Sequence, residues 1–315
     1  MKVVFFGTPH FAVPSLRALL AAGHEVRAVV TQPDRAKGRS RSVTQPPPVK
    51  VAALETGLTV HQPERPRGDD FEAVLRSTDA EIGIVVAYGH ILAPHVLAIP
   101  PRGMLNVHAS LLPRWRGAAP IQWAVLSNDP HTGVALMQME AGLDTGPVFA
   151  EARTPIHADE TSGQLLGRLA ELGAQLLGEA LPQIAAGALH AVPQAEAGAT
   201  YAAKIDRALA RLDFGAPAPL VAARIRAFDP APGAWAQLGA HEVKLFGGAT
   251  APAEDLADNE SPAGTARLVG QRLLIRTGDG GGVFAATVQS AGRPRVGAAE
   301  FAHGHAALLA SERFA

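Results

Sequence analysis

A chain of 315 residues, 47% hydrophobic and 18% charged, is long for one domain and predicts two, with ample burial and no need of a disulfide or metal staple. The formal net charge of -1 excludes a chain that is basic throughout, so a nucleic-acid partner would have to be met by locally concentrated cations. Cysteine is absent, which excludes thiol catalysis, cysteine metal sites and disulfide frameworks and fits a reducing compartment.

The first apolar run, residues 3–6, is too short for a signal-peptide core and predicts a strand. A helix through Leu16, Leu19 and Leu20 follows, stopped near Gly23. Further strands are predicted over 26–31, 58–61, 82–87, 105–107 and 134–139, with a helix around 49–54. Residues 82–101 carry no formal charge and are long enough to cross a membrane. His90, Pro94, His95 and Pro100 interrupt them, however, so they predict a buried strand, a loop and a short helix in a soluble, cytoplasmic chain with no membrane partner. Short apolar runs alternating with helices predict a doubly wound, mostly parallel α/β sheet covered on both faces.

A long helix comes next, with Asp159, Thr161 and Ser162 as candidate N-caps and Leu165, Leu169, Leu172 and Leu176 at helical spacing; Pro182 and Gly187 are expected to end it. Residues 185–199 are rich in Ala and Gly and suit a segment leaving the domain. From about Lys204 the pattern changes to short strands at 235–238, 243–246, 273–276 and 283–288 with Gly-rich turns, which predict a separate small β-barrel. The expected organisation is a first domain over 1–189, a linker over 190–206 and a barrel over 207–315.

Gly7-Thr8-Pro9 follows the first strand, where a doubly wound sheet binds ligands. Its glycine spacing is not a dinucleotide fingerprint, and the second strand closes on Thr31-Gln32-Pro33 without an acid, so a dehydrogenase reading fails. A tight turn and a ligand site account for this motif equally well. Asn106 and His108 stand two apart at a strand end, so both side chains face the same way. They either open into a site or merely fix a loop by hydrogen bonds. Asp144, within Gly142-Leu143-Asp144-Thr145-Gly146, is by itself a turn residue. Brought next to His108, it would favour the charged imidazole, and carboxylate, imidazole and amide together would suit acyl transfer.

Phe6-Gly7-Thr8-Pro9, Val85-Val86-Ala87-Tyr88-Gly89, Asn106-Val107-His108, Ser110-Leu111-Leu112-Pro113, the run from Arg116 to Gln122 and the glycine-flanked Asp144 resemble the motifs of the folate-dependent formyltransferases. The resemblance runs along nearly the whole chain, through Thr200-Tyr201-Ala202-Ala203-Lys204 and Arg224-Ile225-Arg226-Ala227-Phe228. Order and spacing are similar to those of the branch that formylates initiator methionyl-tRNA. The resemblance implies a formyltransferase-type α/β domain with an OB-like barrel behind it. It also implies 10-formyltetrahydrofolate as donor, held beside Ser110, Leu111, Leu112 and Pro113. Asn106 and protonated His108 would stabilise the formyl oxygen as an amine attacks, and Asp144 would hold His108 charged and help take the proton, with no metal. A monomer is expected.

Residues 31–50 hold five cations (Arg35, Lys37, Arg39, Arg41, Lys50) and one acid, Asp34. The 34–49 stretch predicts either a solvated loop or, as the resemblance implies, contact with the tRNA acceptor arm through Arg39 and Arg41, with Lys37 beside them. Arg224, Arg226, Lys244, Arg293 and Arg295 are candidates for a patch on the barrel. The chain departs from the family at Phe228-Asp229-Pro230-Ala231-Pro232, where an Asp stands in place of Asn and Ala231 in place of an aromatic. The departure alters the packing expected there and leaves the catalytic set untouched. The alternatives are a formyltransferase of a small amine such as an amino sugar or purine-pathway intermediate, which would have little use for the Arg39 loop, and a binding module without activity, against which the intact trio argues.

Overall fold

The computed structural model describes residues 1–37, 43–256 and 261–315. The chain divides into two compact units: Met1–Gly117, Gly133–Thr154 and Leu166–Tyr201 form the first, and Ala118–Thr132, Pro155–Leu165 and Ala202–Ala315 the second. In chain order the elements are β1 (Lys2–Gly7), α1 (Val13–Ala21), β2 (Glu25–Val30), β3 (Arg35–Lys37), β4 (Val43–Gln45), α2 (Pro48–Glu55), β5 (Val60–His61), α3 (Asp69–Ser77), β6 (Ile82–Val86), α4 (Pro94–Leu97), β7 (Met104–His108), β8 (Arg116–Gly117), α5 (Pro120–Leu126), β9 (His131–Gln138), β10 (Val148–Pro155) and α6 (Ser162–Ala185).

Seven strands form one sheet in the order β10-β9-β7-β6-β1-β2-β5. β1 runs parallel to β2 and β6, β2 to β5 and β6 to β7, whereas β7 pairs antiparallel with β9. Strands covered on both faces must be apolar throughout, and Val3 to Phe6 and Ile82 to Val86 are all buried. Phe71 and Leu75 of α3 and Val96 and Leu97 of α4 close one face against Val4, Phe6, Val30 and Val85. The chain steps outward from β1 to β2 and β5 and then returns to the other side of β1 as β6 and β7. The strand ends therefore part beside β1, at a topological switch point. Gly173 of α6 lies against β7 so closely that a Cβ there would meet Val107 Cγ1 at 2.8 Å.

The apolar strands match the structure, as do the buried strand, loop and short helix expected over 82–101. Other elements differ from expectation. β10 was not predicted, because its outer half alternates exposed Glu151, Arg153 and Pro155 with partly buried residues at the edge of the sheet and offers no apolar run. The 34–49 stretch, expected as a loop, carries the antiparallel pair β3–β4, with Arg35 opposite Gln45. Pro182 does not end α6; it removes one amide from the last turns, and the helix stops at Ala185 before Gly187 at φ 69°.

The chain then continues through β11 (Tyr201–Ala202), α7 (Ala218–Ala227), β12 (Ala234–Leu238), β13 (His241–Phe246), β14 (Ala249–Thr250), β15 (Ala266–Val269), β16 (Arg272–Arg276), β17 (Gly282–Ala285), β18 (Thr287–Ser290), β19 (Val296–Gly297), α8 (Ala298–Gly304) and α9 (Ala306–Ser311). Two four-stranded sheets, β12-β13-β18-β19 and β14-β17-β16-β15, make the small OB-like barrel of the second unit. The run expected as one strand over 283–288 is two, one in each sheet. Ala286 breaks it by turning its N–H to Phe246 O at 2.9 Å, a change of partner that an unbroken apolar pattern does not record. No helix among the described residues is long and apolar enough to cross a membrane.

Candidate active site

Asn106 and His108 leave β7 on the same side, and β9 fixes their depth by pairing Met137 with Asn106 and Ala135 with His108. His108 is 6% exposed. Its Nε2 lies 2.9 Å from Trp115 O; a carbonyl only accepts, so Nε2 carries hydrogen and donates. The other ring nitrogen, Nδ1, faces Asp144 Oδ2 at 3.7 Å. Asn106 Nδ2 donates to Asp144 Oδ1 at 3.5 Å, a long bond that leaves the amide able to turn to another acceptor. The structure thus brings Asn106, His108 and Asp144 together.

Asp144 reaches this position from an unusual backbone conformation, φ 51°, which Asp tolerates better than most residues. The flanking glycines are required by space. A Cβ at Gly142 would meet Thr145 Oγ1 at 2.0 Å, and one at Gly146 would meet Gln138 O at 2.0 Å. Gly117 N donates to Asp144 Oδ2 at 2.8 Å, a contact that fixes the direction of the carboxylate. Trp115, at φ 60°, is held by its own N–H donating to Thr200 Oγ1 at 2.9 Å, while Thr200 N donates to Pro113 O at 3.3 Å. Sequence reasoning placed Gly117 and Thr200 in motifs but gave none of these groups a role in the site. Trp115 O and Gly117 N are backbone atoms, which leave no residue-type signal, and Thr200 is remote in sequence.

Ser110, Leu111, Leu112 and Pro113 lead away from His108. Ser110 Oγ donates to Arg114 O at 2.6 Å, Leu112 packs with Ala135, Met137 and Val148, and Leu111 is half-buried. Leu143, beside Asp144 in the chain, is 57% exposed. Apolar side chains adjoining a polar cluster suit a flat heteroaromatic ring with a polar reacting end.

A second feature opens at the ends of β1, β2 and β6. A cavity of about 440 Å³ is lined by Thr8, His10, Gln32, Arg35, Gln45 and Tyr88 among others. Thr8 Oγ1 donates to Tyr88 O at 2.9 Å, and Gln32 Nε2 donates to the same carbonyl at 3.1 Å. Gly7-Thr8-Pro9 therefore borders a cavity, and the β3–β4 pair forms part of its wall. Asp34 anchors that pair, accepting from Lys50 Nζ at 2.8 Å and Gln62 Nε2 at 2.7 Å. Arg39 and Arg41 lie outside the described residues, and of Lys37 only the backbone, in β3, is described. Arg226 leaves the set of candidate surface cations: it is 8% exposed and donates to Asn128 Oδ1 at 3.0 Å, and burial pushes its guanidinium below its usual value. Among the described residues no group of three or more His, Cys, Asp or Glu side chains could hold a metal ion.

Residues 1–181 match the family model described as formyl transferase, and residues 204–306 match the one described as formyl transferase, C-terminal domain. The chain is 49% identical over 311 residues to the methionyl-tRNA formyltransferase of Xanthomonas oryzae pv. oryzae (strain PXO99A), covering 98% of this chain and 99% of that protein. It is 49% identical over 280 residues to the one from Halorhodospira halophila, covering 89% and 88%. Among solved structures, the N-formyltransferase from Helicobacter canadensis, in complex with folinic acid and dTDP-3-aminofucose, has the same fold, with a TM-score of 0.66 at 18% identity over 90% of this chain and 98% of that one. HypX from Aquifex aeolicus in complex with tetrahydrofolic acid shares it too, with a TM-score of 0.67 at 19% identity over 99% of this chain and 48% of that one.

Proposed function

The chain belongs to the formyl transferase family, among the methionyl-tRNA formyltransferases, and we propose that it takes the formyl group from 10-formyltetrahydrofolate and transfers it to the amino group of initiator methionyl-tRNA, with Asn106, His108 and Asp144 as the catalytic set. The observation that supports this most is the meeting of Asn106 and His108 with one carboxylate, at 3.5 and 3.7 Å, across 38 and 36 residues of chain respectively.

The residues divide the chemistry. A neutral amine attacks the formyl carbon, and negative charge grows on the formyl oxygen; as that oxygen re-forms its double bond, the bond from the formyl carbon to the folate nitrogen breaks, and the proton given up by the amine passes to that nitrogen, which leaves as tetrahydrofolate. Asn106 turns its Nδ2 from Asp144 to that oxygen. Because Nε2 of His108 is committed to Trp115 O, the ring serves the oxygen from its Nδ1 edge, as a protonated donor beside Asp144. Asp144, oriented by Gly117 N, holds the imidazole in place and takes the amine's proton through water. Ser110, Leu111, Leu112 and Pro113 hold the folate, whose ring packs on their apolar side. The cavity walled by Thr8, Tyr88 and the β3–β4 pair receives the acceptor end of the tRNA, with Lys37, Arg39 and Arg41 on its phosphates and the barrel of 207–315 on the tRNA side. The enzyme works as a cytoplasmic monomer.

The test is formyl transfer from 10-formyltetrahydrofolate to charged initiator tRNA, with free methionine and an amino sugar as parallel acceptors. Formylation of the charged tRNA alone is expected, with Asp144→Asn lowering kcat at least ~100-fold while the protein stays folded. Turnover of the amino sugar without tRNA formylation would overturn the acceptor assignment, and a near wild-type Asp144→Asn would overturn the catalytic one.

A further inference from the structure

One side chain beside the trio has no place in the scheme above. Gln194 lies in the segment that follows α6, and both hydrogens of its Nε2 are used: one donates to Asp144 O at 2.8 Å and the other to Gly146 O at 2.7 Å. Its Oε1 accepts from Arg116 Nε at 3.0 Å, and Arg116 is 2% exposed. With a donor facing the oxygen and two carbonyls facing the nitrogen, only one orientation of the amide satisfies all three contacts. The segment is itself pinned by Val148 and Val192, which exchange N–H···O bonds of 2.9 and 2.8 Å.

These contacts close a ring around the carboxylate. Gln194 grips the backbone of the turn at Asp144 and Gly146 and holds Arg116. The next residue, Gly117, directs its N–H onto Asp144 Oδ2 at 2.8 Å. The turn it grips carries Asp144 at φ 51°, a conformation that persists only where surrounding contacts hold it. We propose that Gln194 is a positioning residue for formyl transfer: it touches no reacting atom and acts by fixing where the Asp144 carboxylate stands relative to His108 and Asn106. The proposal rests on Asp144 being catalytic.

A carboxylate displaced by about an ångström loses up to ~100-fold in rate. Gln194→Ala is therefore expected to lower kcat roughly 10- to 100-fold, with KM for the donor and for charged tRNA held within about twofold. Gln194→Glu keeps the volume but turns a carboxylate towards two carbonyls, and its loss should be at least as large. Gln194→Met keeps the length without donors and serves if the Ala variant does not fold. The decisive comparison uses Asp144→Asn as the background. If Gln194 acts only through Asp144, adding Gln194→Ala to Asp144→Asn changes kcat by less than about twofold, because residues acting as a unit are not additive. A full multiplicative loss on that background, or wild-type kcat in all three single Gln194 variants while Asp144→Asn is impaired, overturns the proposal and leaves the catalytic set standing. An active Asp144→Asn enzyme overturns the set itself, and the positioning role with it.

Discussion

Asp229 is a site at which the cost of substitution can be worked out contact by contact. The carboxylate is 6% exposed. It accepts from Arg295 Nη1 at 3.0 Å and Nη2 at 3.3 Å, and from Gly247 N at 2.9 Å. Arg295 in turn lies over the Phe246 ring at 4.0 Å and donates to Thr287. In Asp229→Ala all of these donors lose their acceptor. A backbone N–H bonded to a charged group contributes about 1.5–3 kcal/mol. The Arg295 side chain is 38% exposed, so solvent screens the ion pair and it adds only about 1 kcal/mol. The expected total is roughly 2.5–4 kcal/mol, about 5–15 °C in the melting of a unit of this size. Arg295→Gln, which spares the Gly247 bond, should cost only about 1 kcal/mol, and the double variant should lose less than the sum. Calorimetry and urea titration of the four proteins measure this. An Asp229→Ala midpoint unchanged within error would refute the reasoning and make Asp229 a bystander in the turn.

Three further outcomes are expected. Tyr88 Oη is buried without a hydrogen-bond partner among the described residues, so Tyr88→Phe should leave stability unchanged or raise it by about 1 kcal/mol in a thermal melt. Burial pushes the Tyr88 phenol up from 10.0 to about 12, so its neutral form contributes stability that is fully present below pH 10.0 and lost as pH rises to about 12; Tyr88→Phe should remove that alkaline loss. The Asp34 carboxyl is held below its ordinary 3.8 by hydrogen bonds from Lys50 and Gln62, so the anchor of the β3–β4 pair persists above that value and fails as pH falls through the lowered one. NMR titration of Asp34 in wild type and Lys50→Met checks this, an unshifted midpoint in both telling against it. Arg39→Ala should flatten the log–log salt dependence of tRNA binding by roughly one unit at most, and an unchanged slope would remove Arg39 from the interface.

The sheet is legible in the sequence wherever a strand is buried on both faces, because Val3 to Phe6 and Ile82 to Val86 admit no polar residue. β10 and α3 are hidden for the opposite reason: β10 is an edge strand, and α3 turns only Phe71 and Leu75 into the core among acidic neighbours. In the site, the common face of Asn106 and His108 follows from strand period alone, whereas nothing within residues 142–146 says which strand Asp144 will meet. That partner was available only through resemblance. The hydrogen bonds from His108 to Trp115 O and from Gly117 N to Asp144 could not be read at all, since every residue carries the same backbone groups.

The segment from Val192 to Thr200 belongs to the first unit by its hydrogen bonds, and this changes where a fragment that keeps the trio in place must end. A fragment cut after residue 181, where the match to the first family model stops, would retain Asn106, His108 and Asp144 and look complete by its residue list. It would lack Gln194, which fastens the Asp144 turn, and Thr200, which fastens the residue whose carbonyl holds His108. Shuffling the barrel among relatives, or deleting it, should therefore use a junction beyond Tyr201, because the first unit carries the clasp of the Asp144 turn in the segment after α6.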